Sequence, residues 1–299
     1  MFSYPKVILV AAAVFNWQVL WEETVAESSY NKRRSDWSEM DWVNFINDSC
    51  WQNRKKKNIS STVLNFDALL KDEKFLVEFD RLKRFVDKDT SVLDVGAGTG
   101  RLAIPLARIA DKVTVLEPSH TNQKLMRDNA VLAGVDNLEY IESLWSDFEI
   151  PEKYDLVFSV WSPAIRDPPS LLKMNQASKG LCALITSALP YGNMDFLNLI
   201  YPLVRKEPYK YVYNFAHVIT TLYQHGIYPN IETWKAEAEM KYETEDEAVS
   251  YWKPLLMYYS DVTNEVEEML RDYYRSRMNH DGSYCYATEG VACMIWWHV

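Results

Sequence analysis

The sequence predicts an α/β protein: a mostly parallel sheet whose strands are joined by crossover helices. Two observations carry this. From about residue 90, short β-branched runs alternate with helix-period segments: TSVLDVG before RLAIPLARIA, DKVTVLEPS before TNQKLMRDNAVLAG, then NLEYIESLW and KYDLVFSVW. Strands separated by such segments read as βαβ units. The first strand also runs directly into glycines at three of five positions, Gly96, Gly98 and Gly100, before an apolar-periodic helix begins.

Residues 1–85 read as a helical segment. VILVAAAVF (7–15) continues into Trp17, Val19, Leu20 and Trp21 at helix-face spacing, which favours a packing helix over a cleaved secretory leader. Trp37, Met40, Trp42, Val43 and Phe45 mark a second helix within 36–48. Leu69, Leu70, Phe75, Leu76, Phe79, Leu82 and Phe85 mark a third over 66–86. Between them, WQNRKKKN (51–58) is a cationic turn or helix end. Beyond the alternating strands, a helix is expected at 169–177 and a strand in GLCALITSA (180–188). Helices rich in Tyr, Leu and Phe follow at 193–205 and 209–226, then an alternating strand at 231–244. Two further helices lead to Asp281-Gly282, which introduces a closing strand, YCYATEGVACMIWWHV. The expected organisation is an N-terminal helical segment, 1–85, covering the active site, then a ligand-binding domain, 86–299, with a helical insertion at about 190–228.

Composition narrows the function classes. The chain has 299 residues, 48% of them apolar, which is enough for a large core without staples. A formal charge of −10 disfavours broad binding to a phosphate backbone. Residues 1–60 hold eight basic and seven acidic residues, so the runs Lys32-Arg33-Arg34 and Arg54-Lys55-Lys56-Lys57 read as a solvated face. Cys50, Cys182, Cys285 and Cys293 form no CxxC pair and no zinc spacing with histidine, which points to reduced thiols in a cytoplasmic protein and to no metal site. No run reaches the roughly 18 apolar residues that a membrane span requires.

The glycine loop fits neither common phosphate motif. A dinucleotide fingerprint, G-x-G-x-x-G, would need glycine where Arg101 stands, and a Walker loop would need a lysine that is absent. The glycines still imply close backbone approach to a ligand and a strand-to-helix turn whose amides face it. Asp94, just before the loop, would repel pyrophosphate and suits an ammonium group. Glu117, ending the second strand, sits where an acid accepts both hydroxyls of a ribose.

These residues carry a resemblance. Residues 91–161 resemble the nucleotide-binding half of class I S-adenosylmethionine (SAM) methyltransferases. Asp94-Val95-Gly96-Ala97-Gly98-Thr99-Gly100 matches that family's acid followed by G-x-G-x-G, and Glu117-Pro118-Ser119 its acid at the end of strand 2. The resemblance implies a Rossmann-like, doubly wound seven-stranded sheet, parallel with an antiparallel terminal hairpin, and SAM as cofactor with S-adenosylhomocysteine (SAH) as product. Gly96, Ala97, Gly98 and Gly100 would pass beneath the methionine part and Asp94 would orient the loop and the ammonium. Glu117 would take the ribose and Pro118 would border the adenine. Leu144 and Trp145 would contact adenine, with Asp147 able to reach its exocyclic amine or to cap a helix. Ser159 and Trp161 would lie where donor meets acceptor.

DPPS (167–170) resembles an amine-gripping [DNS]-P-P-[YF] motif, but it comes six residues too late and lacks the aromatic. It reads as a turn and helix start. His217, His225, Tyr213 and Tyr223 are the general-base candidates, and none is assigned the role, since a lone histidine is more often capping or satisfied core. The expected function is methyl transfer to a small-molecule acceptor, with a homodimer left open. Protein or RNA methylation, a non-catalytic SAM sensor and an NAD-type oxidoreductase are the alternatives.

Overall fold

Apolar residues alternate across one twisted sheet, and each set meets its own helical layer. The computed structural model describes residues 16–29, 37–56, 73–188, 200–210 and 215–299. Seven strands form the sheet: β1 (Ser91–Val95), β2 (Lys112–Leu116), β3 (Leu138–Ile141), β4 (Tyr154–Val160), β5 (Ser178–Ser187), β6 (Asn230–Tyr242) and β7 (Tyr284–His298). Their spatial order is β3-β2-β1-β4-β5-β7-β6. The first five pair in parallel, while β7 runs antiparallel between β5 and β6. The sequence-level expectation of a parallel sheet with antiparallel terminal strands holds.

Val92, Leu156, Phe158, Ala183, Ile185 and Met294 face one layer, formed by α3 (Glu73–Lys83), α4 (Ala103–Ala107) and α5 (His120–Ala133). Their odd-even counterparts Leu93, Val95, Val157, Cys182, Leu184, Ile295 and Trp297 face the other. That layer is α1 (Trp17–Glu27), α6 (Pro168–Ala177) and α8 (Phe215–Gln224). A period of two along every strand is what lets one sheet fill two cores. Among the described residues Cys182, Cys285 and Cys293 form no disulfide, and burial pushes the Cys182 and Cys293 thiols up to about 12 and about 11.

Two helical additions sit apart from these layers. α2 (Glu39–Lys56) crosses the carboxyl-end side of the sheet. α9 (Glu245–Tyr259) and α10 (Asn264–Arg275) connect β6 to β7, so the terminal strand pair is no tight hairpin. They share a core of their own, built on Tyr242, Trp252, Leu256, Leu270, Tyr274 and Tyr284. A short helix, α7 (Tyr201–Arg205), supplies Tyr201 to an aromatic cluster with Trp42 of α2 and Tyr259 at the end of α9. The 66–72 part of the helix expected at 66–86 and the 193–199 part of that expected at 193–205 lie outside the described residues, as do residues 7–15 of the apolar start. No helix among the described residues is long and apolar enough to cross a membrane.

Candidate functional site

Strand order reverses between β1 and β4, and the crevice left at the carboxyl ends of such strands is where open α/β sheets place ligands. A cavity of about 680 Å3 occupies it. Its floor is Gly96 and Gly98, and one edge is Leu116, Glu117 and Pro118. The loop after β3 supplies Ser143 to Ser146, and the loop after β4 supplies Trp161 to Ala164. The start of α6 adds Arg166, Asp167, Pro169, Ser170 and Lys173, while Glu39, Trp42, Val43 and Asn47 of α2 cover the opening beside Tyr259.

The glycine loop is tied to its neighbours by its own amides. The N–H groups of Gly96 and Ala97 donate to the Leu116 carbonyl at 2.8 and 3.1 Å, and that of Gly100 to the Ala97 carbonyl. The Gly98 N–H donates to Glu117 Oε2 at 2.9 Å. The expectation that these amides face a ligand is therefore not met: all four are spent inside the protein, which leaves the loop poor in donors for a phosphate. All three glycines have positive φ. A Cβ on Gly96 would lie 2.0 Å from Ser162 Oγ, and one on Gly100 2.7 Å from Ile104 Cδ1. One on Gly98 would meet nothing within 4 Å.

Two buried acids bracket the loop. Glu117 accepts from Gly98, from the Ser119 N–H at 3.0 Å and from Asn122 Nδ2 at 3.2 Å. Burial raises its carboxyl above the ordinary value, against the pull of those hydrogen bonds. Asp94 lies beneath the loop, and burial, then the Glu117 charge, hold its carboxyl well above the usual range, with only Arg101 opposing. With Glu117 at its edge and Asp94 buried behind the loop, the cavity disfavours anions and welcomes a cation or hydroxyl donors.

The sequence-predicted residues divide. Gly96, Gly98, Glu117, Pro118, Leu144, Trp145 and Trp161 line the cavity. Asp94, Ala97, Gly100 and Ser159 stand behind it, Ser159 buried within β4 with its hydroxyl donating to the Val95 carbonyl at 2.8 Å. Trp145 is both lining and core: it is 3% exposed, and its Nε1 donates to the Ser170 carbonyl at 2.9 Å. Asp147 is exposed, starts no helix and accepts from Ser146 Oγ. Asp167 caps α6 through a reciprocal capping box with Ser170, and the prolines occupy its first turn, so DPPS is a helix start as read.

None of the five histidines lines the cavity. His217 meets Thr24 and Trp21 of α1, and His225 Nδ1 contacts the Thr221 carbonyl. Tyr223 is exposed on α8, and Tyr213 lies outside the described residues. The described part of the 190–228 insertion contributes no lining residue, because α8 packs on α1 and α6 behind the sheet. Cover comes from α2 and Tyr259 instead.

Sequence reasoning missed how α2 is fastened. Arg166 grips the Glu39 carboxylate with both terminal nitrogens, Nη2 to Oε2 at 2.7 Å. At the opposite rim, Asn122 Nδ2 donates to Asn47 Oδ1 at 2.9 Å as well as to Glu117, and Thr121 Oγ1 donates to Asp48. It also missed Glu78 of α3, whose carboxylate accepts from Trp161 Nε1 and from Arg101 Nη2, each at 2.5 Å. A signal was there: Glu78 falls on the apolar face of Phe75, Phe79 and Leu82, where a solvated acid does not belong.

With the geometry in hand, comparisons with known proteins bear on it. Residues 92–179 match the model of a family described as "Methyltransferase domain". The uncharacterized protein MJ1452 of Methanocaldococcus jannaschii is 34% identical over 93 residues, 31% of this chain and 36% of that protein. A ubiquinone biosynthesis O-methyltransferase of Methylobacterium nodulans is 34% identical over 70 residues, 23% of this chain and 28% of that one. The chain thus matches about a third of the length of these curated relatives. The crystal structure of the YcgJ protein from Bacillus subtilis superposes with a TM-score of 0.53 at 12% identity, covering 75% of this chain and 97% of that one, a likeness of fold.

Proposed function

From residues 92–179, which are a methyltransferase domain of the class I SAM-dependent family, we infer that the chain transfers a methyl group from SAM to a small-molecule acceptor. The observation that carries this is the pair of buried acids around a glycine loop in which the Gly96, Ala97, Gly98 and Gly100 amides are already used. Such a site suits a ligand that brings an ammonium and vicinal hydroxyls rather than phosphate. The residues fit SAM on that ground. Glu117 is an acceptor-only group at the cavity edge, matched to two ribose hydroxyls. Pro118, Leu144 and the Trp145 ring border a slot for a flat base. Gly98 leaves open space above the floor, and Asp94 supports the loop under the ammonium. Bound there, SAM supplies a methyl group already activated on a sulfonium.

The protein's own contribution is then mostly positioning. Holding two reacting centres in line can be worth about 7–11 kcal/mol at best. α2 and Tyr259 partly cover the cavity, Trp161 and Ser162 border the region between donor and acceptor, and the Arg166–Glu39 pair stands at one rim. The lining brings four aromatic rings together, Trp42, Trp145, Trp161 and Tyr259, which supports a small acceptor over a protein or RNA chain.

The test is methyl-labelled SAM incubated with the purified chain and cell extract, followed by fractionation by size and by protease or nuclease sensitivity. Label in the small-molecule fraction is the expected result. Label in protein or RNA overturns the acceptor class. Failure of SAH to bind, measured by calorimetry, overturns the reading altogether.

A further inference from the structure

We propose that Trp161 is the stacking wall for a planar aromatic acceptor and that Glu78 is the positioning residue that fixes its indole. The proposal rests on the methyl-transfer reading. Trp161 closes β4 with φ of 52°, a left-handed conformation that bulky residues rarely adopt and that persists only where the surroundings enforce it. Those surroundings are on view. Its N–H donates to the Ile185 carbonyl at 3.1 Å, and its indole Nε1 to Glu78 Oε1 at 2.5 Å. Trp161 is nevertheless 46% exposed and lines the cavity. A large aromatic surface held rigid and left uncovered inside a cavity is a contact in waiting.

Glu78 is 8% exposed on the buried face of α3, where a carboxylate is costly unless its oxygens are matched. Both are: Oε1 holds Trp161, and Oε2 takes Arg101, the residue directly after Gly100. One buried acid therefore joins the end of the glycine loop to the aromatic wall. Across the cavity stand Trp42 and Tyr259, the latter edge-on to Tyr201 and Tyr209. A flat neutral ring is the acceptor chemistry that such walls recognise, for example a phenol or quinol.

The experiment uses the full chain saturated with SAH and two probes of matched skeleton, 2-naphthol and its saturated counterpart decahydro-2-naphthol, with Kd read by equilibrium dialysis. Wild type should prefer the planar probe by about 3- to 10-fold, the scale of an aromatic pair beyond its area. Trp161→Ala should bring that ratio to about 1, and Trp161→Phe should keep part of it. Glu78→Ala should lower the ratio, while Glu78→Gln, whose amide oxygen still accepts from Nε1, should restore most of it. If Glu78→Ala does not fold, the Gln and Phe variants still carry the comparison. An unchanged ratio in Trp161→Ala, or no preference in wild type, overturns the stacking wall. An unchanged ratio in folded Glu78→Ala overturns the positioning role. Calorimetry with SAH alone separates the two readings: absent binding to wild type removes the donor site and this proposal with it, whereas normal binding with no planar preference removes the proposal alone.

Discussion

Two alanine substitutions, two residues apart, should fail in different ways. Gly96 has φ of 81° and Gly98 φ of 58°, so alanine at either adopts a left-handed backbone at a cost of about 1–2 kcal/mol. The spaces around them differ. At Gly96 the new Cβ would lie 2.0 Å from Ser162 Oγ and 2.7 Å from Ser162 Cβ, so the β1 and β4 loops must part. Overpacking of that kind adds about 1–3 kcal/mol, for a total near 2–5 kcal/mol. At Gly98 no atom lies within 4 Å, so the backbone strain stands alone. The methyl group there enters open space at the cavity floor, and the ligand meets the clash instead. Gly96→Ala should therefore lower the denaturant midpoint markedly. Gly98→Ala should lose only about 1–2 kcal/mol, to backbone strain, yet bind SAH at least ~10-fold more weakly, about 1.4 kcal/mol. Urea unfolding followed by circular dichroism gives the first quantity and calorimetric titration the second. Equal destabilisation by the two substitutions, or wild-type SAH affinity in Gly98→Ala, refutes the assignment of the loop's two sides.

Other perturbations follow from the same geometry. Glu117→Ala should weaken SAH binding by ~1–3 kcal/mol, roughly 5- to 150-fold, through unmatched polar partners; equal calorimetric affinity in a folded variant sinks the ribose assignment. Burial and the Glu117 charge raise the Asp94 carboxyl well above 3.8, so between 3.8 and that raised value the folded state holds more protons than the unfolded one. Stability contributed by Asp94 is therefore lost as pH rises through that window. Asp94→Asn should flatten this slope, so the variant gains on wild type from pH 4 towards pH 8 in urea unfolding, and parallel profiles would refute it. Asp167→Ala removes the capping box of α6 and should cost about 0.5–2 kcal/mol, read as a lower melting temperature, while Asp167→Ser retains most of it.

What was legible in the sequence is what local chemistry decides. Strand alternation, the glycines forced to positive φ, the cap at Asp167 and the acid ending β2 each depend on residues within a few positions of one another. α5 behaves likewise, starting at the Ser119 cap and ending at left-handed Gly134. Which part of the N-terminal segment lies over the cavity, and what fastens it there, was not legible, because both depend on tertiary placement. The insertion expected at about 190–228 carries α8, which presents Val218 and Leu222 to the layer behind the sheet, while Tyr259 arrives from the connection between β6 and β7. α2 was visible as a helix, but its fastening by Arg166, Thr121 and Asn122 joins residues more than 70 positions apart. Glu78 lay between these cases: its misplaced charge was readable, its partners Trp161 and Arg101 were not.

The pairing of β6 with β7 runs from Asn230↔Trp296 to Tyr242↔Tyr284, whereas β5 reaches β7 only over residues 292–298. The far half of the ribbon thus stands clear of the sheet and carries α9, with Tyr259, like a bracket on a post. A strand rises about 3.4 Å per residue and changes face at every step. The post can therefore be lengthened or shortened only in steps of two residues per strand, about 7 Å each, if its side chains are to keep their faces. The height of Tyr259 above the floor is thus set by counting rungs, while α2 supplies the rest of the cover.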